Sequence, residues 1–186
     1  MMTKWKELRE KVVGLQSDLD YFKVGFLDRN SFREFCNNFG SEMVFENICI
    51  TGYFSETIRD SLEKMAKRMP SVRLICPELS ETPRDKKNLE ALKKLVSAGA
   101  QIKVNNRLHA RFLVTYNISH GAPFGGLLVI GSFDFNTECI GMERYDAGIK
   151  TRHPDLINSA IALFEQIWNE QESQTLEDFI KKREMK

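Results

Sequence analysis

Apolar strands alternating with amphipathic helices predict an α/β fold for this chain, a mixed, mostly parallel sheet sandwiched by helices. Three observations carry that expectation. Residues 47–104 read strand, helix, strand, helix, strand in turn. Several strand segments are continuous apolar runs, such as Leu127-Leu128-Val129-Ile130, as strands covered on both faces are. Late in the chain, Ile157, Ile161, Phe164 and Trp168 follow one another at spacings of 4, 3 and 4, the mark of a strongly amphipathic helix that covers a sheet. No internal repeat and no linker interrupts the pattern. The expectation is one domain over residues 1–186, with a helical extension (1–46), an α/β body (47–170) and a C-terminal helix (171–186).

The elements follow in order. Trp5, Leu8, Val12 and Leu15 recur at helical spacing and predict an amphipathic N-terminal helix. Residues 21–27 suit a strand and residues 31–38 a short helix. Residues 47–51 form an apolar strand closed by Gly52. Ile58, Leu62, Met65 and Met69 then mark one helical face that Pro70 ends. A second strand covers residues 72–76. Thr82-Pro83-Arg84-Asp85 opens the next helix, with Thr82 as N-cap, Pro83 in the first helical position and Asp85 reaching back. Leu89, Leu92 and Val96 are its core face, and Gly99 ends it. Further strands are expected at 101–104, 108–114, 127–131 and 145–150. Residues 117–126, rich in Gly and holding Pro123 and His120, read as a loop. Leu176, Phe179 and Ile180 predict a short last helix.

Composition narrows the class. A chain of 186 residues can bury a sizeable core. Cys36, Cys49, Cys76 and Cys139 lack CxxC spacing and any His at ligand distance, which argues against a structural zinc site or a secreted disulfide framework. Cys49 and Cys76 fall within apolar strands, where thiols pack as small hydrophobes. The first ten residues lack the apolar stretch of a signal peptide, and no run approaches the ~20 residues of a membrane helix. A cytoplasmic protein with no membrane partner, no cofactor and no metal is expected.

The net charge of +1 hides an asymmetry. Between Glu56 and Arg111 stand 13 Lys and Arg against 7 Asp and Glu. This excess either clothes two solvated helix faces or forms a positive field that draws in polyanions.

The chemistry-bearing stretch runs from Leu108 to Ile149. It reads Leu108-His109-Ala110-Arg111-Phe112-Leu113-Val114, then Gly131-Ser132-Phe133-Asp134, then Tyr145-Asp146-Ala147-Gly148-Ile149. His109 and Arg111 are two apart, so a strand there would present both on one face. An imidazole beside a fixed cation suits a phosphoryl group: the ring attacks or transfers a proton while the cation holds a phosphate oxygen.

These segments resemble the phospholipase D superfamily, whose signature is His-x-Lys on one strand, Gly-Ser-x-Asn at the end of the next, and an acid in a following strand. The likeness covers about residues 47–170, since Ile48-Cys49-Ile50-Thr51-Gly52-Tyr53-Phe54-Ser55 is similar to the family's first strand and turn. The departures are specific. Arg111 replaces the Lys, a planar fork for a compact ammonium. Tyr116 stands where an Asp often follows. Asp134 replaces the Asn, putting a carboxylate where a neutral donor would meet a phosphate oxygen. Asn136, two residues on, is the candidate for the displaced amide, and Asp146 takes the place of the Glu.

The resemblance implies a metal-independent phosphodiesterase. In it His109 is nucleophile and general acid, Arg111 binds phosphate, Ser132 and Asn136 donate to its oxygens, and Asp146 orients His109. This chain holds one copy of a motif that such enzymes use in pairs, since neither His120 nor His153 repeats it. A two-fold homodimer would supply the second histidine. Nucleic acid is favoured over lipid, other phosphodiesters remaining open, because small single-copy relatives are commonly nucleases. The alternative is a degenerate domain that binds nucleic acid or a phosphorylated ligand without cleaving it, which Asp134 favours.

Overall fold

The computed structural model describes residues 24–38, 45–52, 56–69, 71–132 and 147–185. The N-terminal helix expected from Trp5 to Leu15 lies outside them. Among the described residues the order is β1 (Gly25–Leu27), α1 (Arg29–Asn38), β2 (Asn47–Thr51), α2 (Glu56–Ala66), β3 (Ser71–Cys76), α3 (Pro83–Ser97), β4 (Gln101–Val104), β5 (Phe112–Ser119), β6 (Ala122–Gly131), β7 (Gly148–Thr151), α4 (Pro154–Asn169), β8 (Gln174–Thr175) and α5 (Leu176–Glu184).

The strands form one sheet in the order β1-β7-β6-β5-β2-β3-β4-β8. The fold is α/β with a mixed sheet, as the sequence predicts, but the balance of directions differs from the expectation. Among the described residues only β2–β3 and β3–β4 pair in parallel. The ladders β1–β7, β2–β5, β4–β8, β5–β6 and β6–β7 are antiparallel. The cause is the length of the connections. Helices α2 and α3 carry the chain back over the sheet and so return it in parallel, whereas a two-residue turn at His120-Gly121 forces β6 to run against β5.

Side-chain alternation divides the core into two layers. On one face Ile48, Ile50, Val72, Leu74, Ile102, Val104, Leu113, Leu127 and Val129 pack beneath α1, α2, α3 and α5, which contribute Phe32, Leu62, Leu95 and Phe179 among others. On the other, Cys49, Ile75, Phe112, Val114 and Leu128 lie beneath Ile157, Ile161 and Phe164 of α4. That late helix is therefore the cover its spacing predicts. Thr82 caps α3 by accepting from Asp85 N at 3.2 Å, with Pro83 opening the helix. Cys36, Cys49 and Cys76 are free and buried. Cys139 lies outside the described residues.

Three expected segments differ in bounds or form. The segment expected to be a strand over 108–114 enters the sheet only at Phe112. The expected loop at 117–126 is instead a hairpin, with Asn117 opposite Phe124 and Ser119 opposite Ala122, and its ladder shifts register between Thr115 and Asn117. Gly126 makes that shift possible. Its φ is +132°, and a Cβ built there would stand 2.1 Å from the Thr115 carbonyl oxygen. Of the strand expected over 145–150, residues 145 and 146 lie outside the described residues, and β7 covers Gly148–Thr151.

A charged cluster ties the sheet to α4. Arg73 on β3 bonds both carboxylate oxygens of Glu165, at 2.5 and 3.1 Å. It also donates to the Tyr116 hydroxyl at 3.2 Å and stacks over the Phe164 ring at 5.1 Å. Burial works to lower the pKa of this guanidinium, but the Glu165 hydrogen bond together with the charges of Cys49, Glu165 and Tyr116 outweighs it, so the net shift is upward and the charge is held firmly.

Candidate active site

Strand direction gathers the site at one edge of the sheet. The parallel strands β2, β3 and β4 all end there, at Thr51, Cys76 and Val104. Because β5 is antiparallel to β2, with Phe112 opposite Thr51, it begins at that same edge. Gly131 of β6 and Gly148 of β7 face each other there as well. The carboxyl ends of parallel strands are the usual place for a ligand crevice in an α/β sheet.

The lead-in from β4 to β5 carries His109. It is shaped by Asn105, 1 % exposed, whose side-chain amide makes three hydrogen bonds. The Asn105 side chain accepts from Arg107 N at 2.8 Å and donates to Ser173 Oγ at 2.8 Å and to Glu170 at 3.3 Å. Its backbone N–H donates to the Cys76 carbonyl and its carbonyl accepts from Leu108 N. Leu108 is buried in the core layer beneath α4, so the next residue, His109, is turned out to solvent.

His109, Ala110 and Arg111 line a pocket of ≈ 350 Å³ together with Gly52, Pro77, Glu78, Asn106 and Leu108. Arg111 is half-buried and anchored twice. Its carbonyl accepts from Gly131 N at 3.3 Å, and its Nη1 donates to the Ser132 carbonyl at 2.7 Å. Ser132 in turn meets the start of β7: its N–H donates to the Ala147 carbonyl at 3.0 Å, and its Oγ accepts from Ala147 N at 3.2 Å. Entry of β5 into the sheet is fixed by Phe112 N, which donates to Thr51 Oγ1 at 3.0 Å.

Of the residues expected from sequence, the structure brings His109 and Arg111 into one pocket and Arg111 onto Ser132. His109 and Arg111 share the pocket as parts of a lead-in segment, and the same-face argument from strand alternation does not apply to them. Asp134, Asn136 and Asp146 lie outside the described residues. Tyr116, where an acid is often found, is buried beneath α4 and bonded to Arg73. Sequence reasoning missed Thr51, Glu78 and Asn105. The pair Asn105-Asn106 directly after an apolar strand was a turn signal that marks the anchor.

Many cations of the basic stretch meet acids close to them. Lys67 pairs with Glu63, Lys86 with Glu81, Lys93 with Glu90 and Arg107 with Glu172. Such exposed pairs add little to stability. No group of three or more His, Cys, Asp or Glu among the described residues is placed to hold a metal ion. No described helix is long and apolar enough to cross a membrane.

Comparison with known proteins agrees with this architecture. The family described as "Cardiolipin synthase, PLD-like domain" matches residues 46–168. The chain belongs to that family, and with it to the phospholipase D superfamily. Among solved structures it is similar to Nuc from Salmonella typhimurium, a phospholipase D family member, with a TM-score of 0.62 and 17 % identity over 83 % of this chain and 96 % of that one. NucT from Helicobacter pylori gives a TM-score of 0.61 and 12 % identity over 83 % and 99 %. TrmBL2, an archaeal chromatin protein with a novel mode of DNA binding, gives 0.54 and 11 % over 93 % and 63 %. At these identities the likeness is one of fold. No curated protein sequence matches the chain.

Proposed function

We propose that this protein is a phosphodiesterase acting on nucleic acid as a homodimer, with a phosphohistidine intermediate. The observation that carries the reading is the pocket at the sheet edge, where His109 stands beside an Arg111 whose guanidinium is bonded to Ser132. A tethered planar cation is pre-organised to hold two phosphate oxygens. In the proposed reaction the neutral ring of His109 attacks phosphorus, and the bond to the leaving oxygen breaks. That oxygen takes its proton from His109 of the partner subunit. Water then attacks the phosphohistidine, the P–N bond breaks, and the water's proton returns to the partner's ring.

The test is chemical. His109→Ala should abolish turnover of RNA, DNA and generic phosphodiesters, and the wild-type rate should be bell-shaped in pH and insensitive to EDTA. An acid-labile label on His109 after quenching would establish the covalent step. Asp134→Asn removes a carboxylate from the phosphate position of the motif and should raise the rate. The second reading, a domain that binds phosphorylated ligands without cleaving them, is favoured by that same Asp134. It stands if wild type and Asp134→Asn both bind nucleic acid and neither turns it over.

A further inference from the structure

We propose that Glu78 determines substrate specificity at the His109 pocket, its carboxylate accepting a hydrogen bond from a ribose 2′-hydroxyl beside the phosphodiester, so that the substrate is RNA rather than DNA. The inference rests on the phosphodiesterase reading of that pocket. Glu78 lines the pocket with His109 and Arg111. Among the described residues it has neither an ion-pair nor a hydrogen-bond partner, in contrast to Glu63, Glu81, Glu90 and Glu172. An ionised carboxylate beside a phosphate site repels the substrate unless the substrate brings it a donor.

Its backbone is held in place. Pro77 precedes it, and Leu79 follows, 4 % exposed. Arg183 of α5, stacked on Phe179, donates to the carbonyls of Leu79 (3.3 Å) and Ser80 (3.0 Å) and pairs with Glu81. Asp85 accepts from Ser80 N at 2.8 Å. The backbone beside Glu78 is thus clamped from both sides, which fixes where this residue meets the pocket wall.

The ligand follows from size and chemistry. A volume of ≈ 350 Å³ is at the small end for ligand sites and fits about one nucleotide, not a duplex. In single-stranded nucleic acid the hydroxyl that a carboxylate finds in RNA and misses in DNA is the 2′-OH. A site built to bond a hydroxyl rejects the analogue without it, since its own polar group is then left unpaired.

The experiment compares single-stranded RNA and DNA of one sequence, by kcat/KM for cleavage and by fluorescence anisotropy for binding in a His109→Asn background. Wild type should favour RNA by about tenfold or more. Glu78→Ala should bring the ratio close to one, by weakening RNA and by relieving repulsion of DNA. Glu78→Gln, which keeps an acceptor oxygen, should retain part of the preference. Arg183→Met should lower the ratio by loosening this clamp, with KM for RNA rising and kcat for DNA unaffected. Equal use of RNA and DNA by wild type, or a ratio unmoved by Glu78→Ala, would overturn the assignment and leave the phosphodiesterase reading intact. Absence of both cleavage and binding for both polymers would remove that reading and this inference together.

Discussion

Cys36 and Cys76 sit in the core as thiols, and burial pushes both up to about 12. Tyr116 is also pushed up to about 12, by burial first and then by the neighbouring Cys49. The folded chain therefore keeps protons that the unfolded chain gives up, from about pH 9 for a thiol and about pH 10 for a phenol. Where the unfolded state binds fewer protons, stability falls as pH rises. The contribution is fully present below about pH 9 and is lost toward pH 12, at about 1.4 kcal/mol per pH unit for each group titrating. Urea unfolding under reducing conditions should show a midpoint that holds from pH 7 to 8 and drops steeply above 9. Cys76→Ala, destabilising at pH 7 through the lost volume, should make that drop shallower. An unchanged slope would mean that the thiol does not titrate with unfolding.

At the scale of elements the β5–β6 hairpin depends on one residue. Gly126→Ala places a methyl group against the Thr115 carbonyl in a backbone conformation that side chains avoid, so its cost should be several kcal/mol, of order 3 or more. Gly121→Ala, at a turn where nothing lies within 4 Å of the added Cβ, should cost only about 1 kcal/mol. Thermal melts of the two variants separate the close contact from the positive φ. This hairpin also shows what was legible in the sequence. Helices α3 and α4 were readable because apolar spacing, and for α3 the cap at Thr82, are local properties of the chain. The hairpin read as a loop because Gly125, Gly126 and Pro123 punctuate it, and a bulge that absorbs two glycines has no local signature. Strand direction was hidden for a related reason, since an apolar run looks the same in a parallel and an antiparallel ladder. In the site, His109, Arg111 and Ser132 stood out as a motif. Asn105, Thr51 and Glu78 did not, because their roles come from partners such as Ser173 and Phe112, far away in sequence, or from a pocket wall that exists only once three strands end together.

For the whole molecule the decisive property is the assembly that the proposed reaction requires. One motif per chain makes the proposed reaction second order in protomer, so specific activity should fall as the protein is diluted below its dimer dissociation constant. Mixing His109→Ala with an Arg111→Ala variant should leave activity below that of wild type, because no mixed dimer holds two intact copies. Sedimentation at the same concentrations tests the correlation, and constant specific activity of a monomer would remove the shared site. Within one chain, the Asn105–Ser173 bond spans 68 residues of sequence and the Arg183–Leu79 bond 104. Each of these rests on side-chain hydrogen bonds, whereas the β2–β5 ladder, which closes a loop of similar length, is backed by buried side chains on both faces. A local opening that breaks these two contacts would loosen the pocket wall while the sheet beneath it stays closed. A mildly stressed population would keep its secondary structure and lose its binding site first, so an intact circular dichroism spectrum is no certificate of a competent protein.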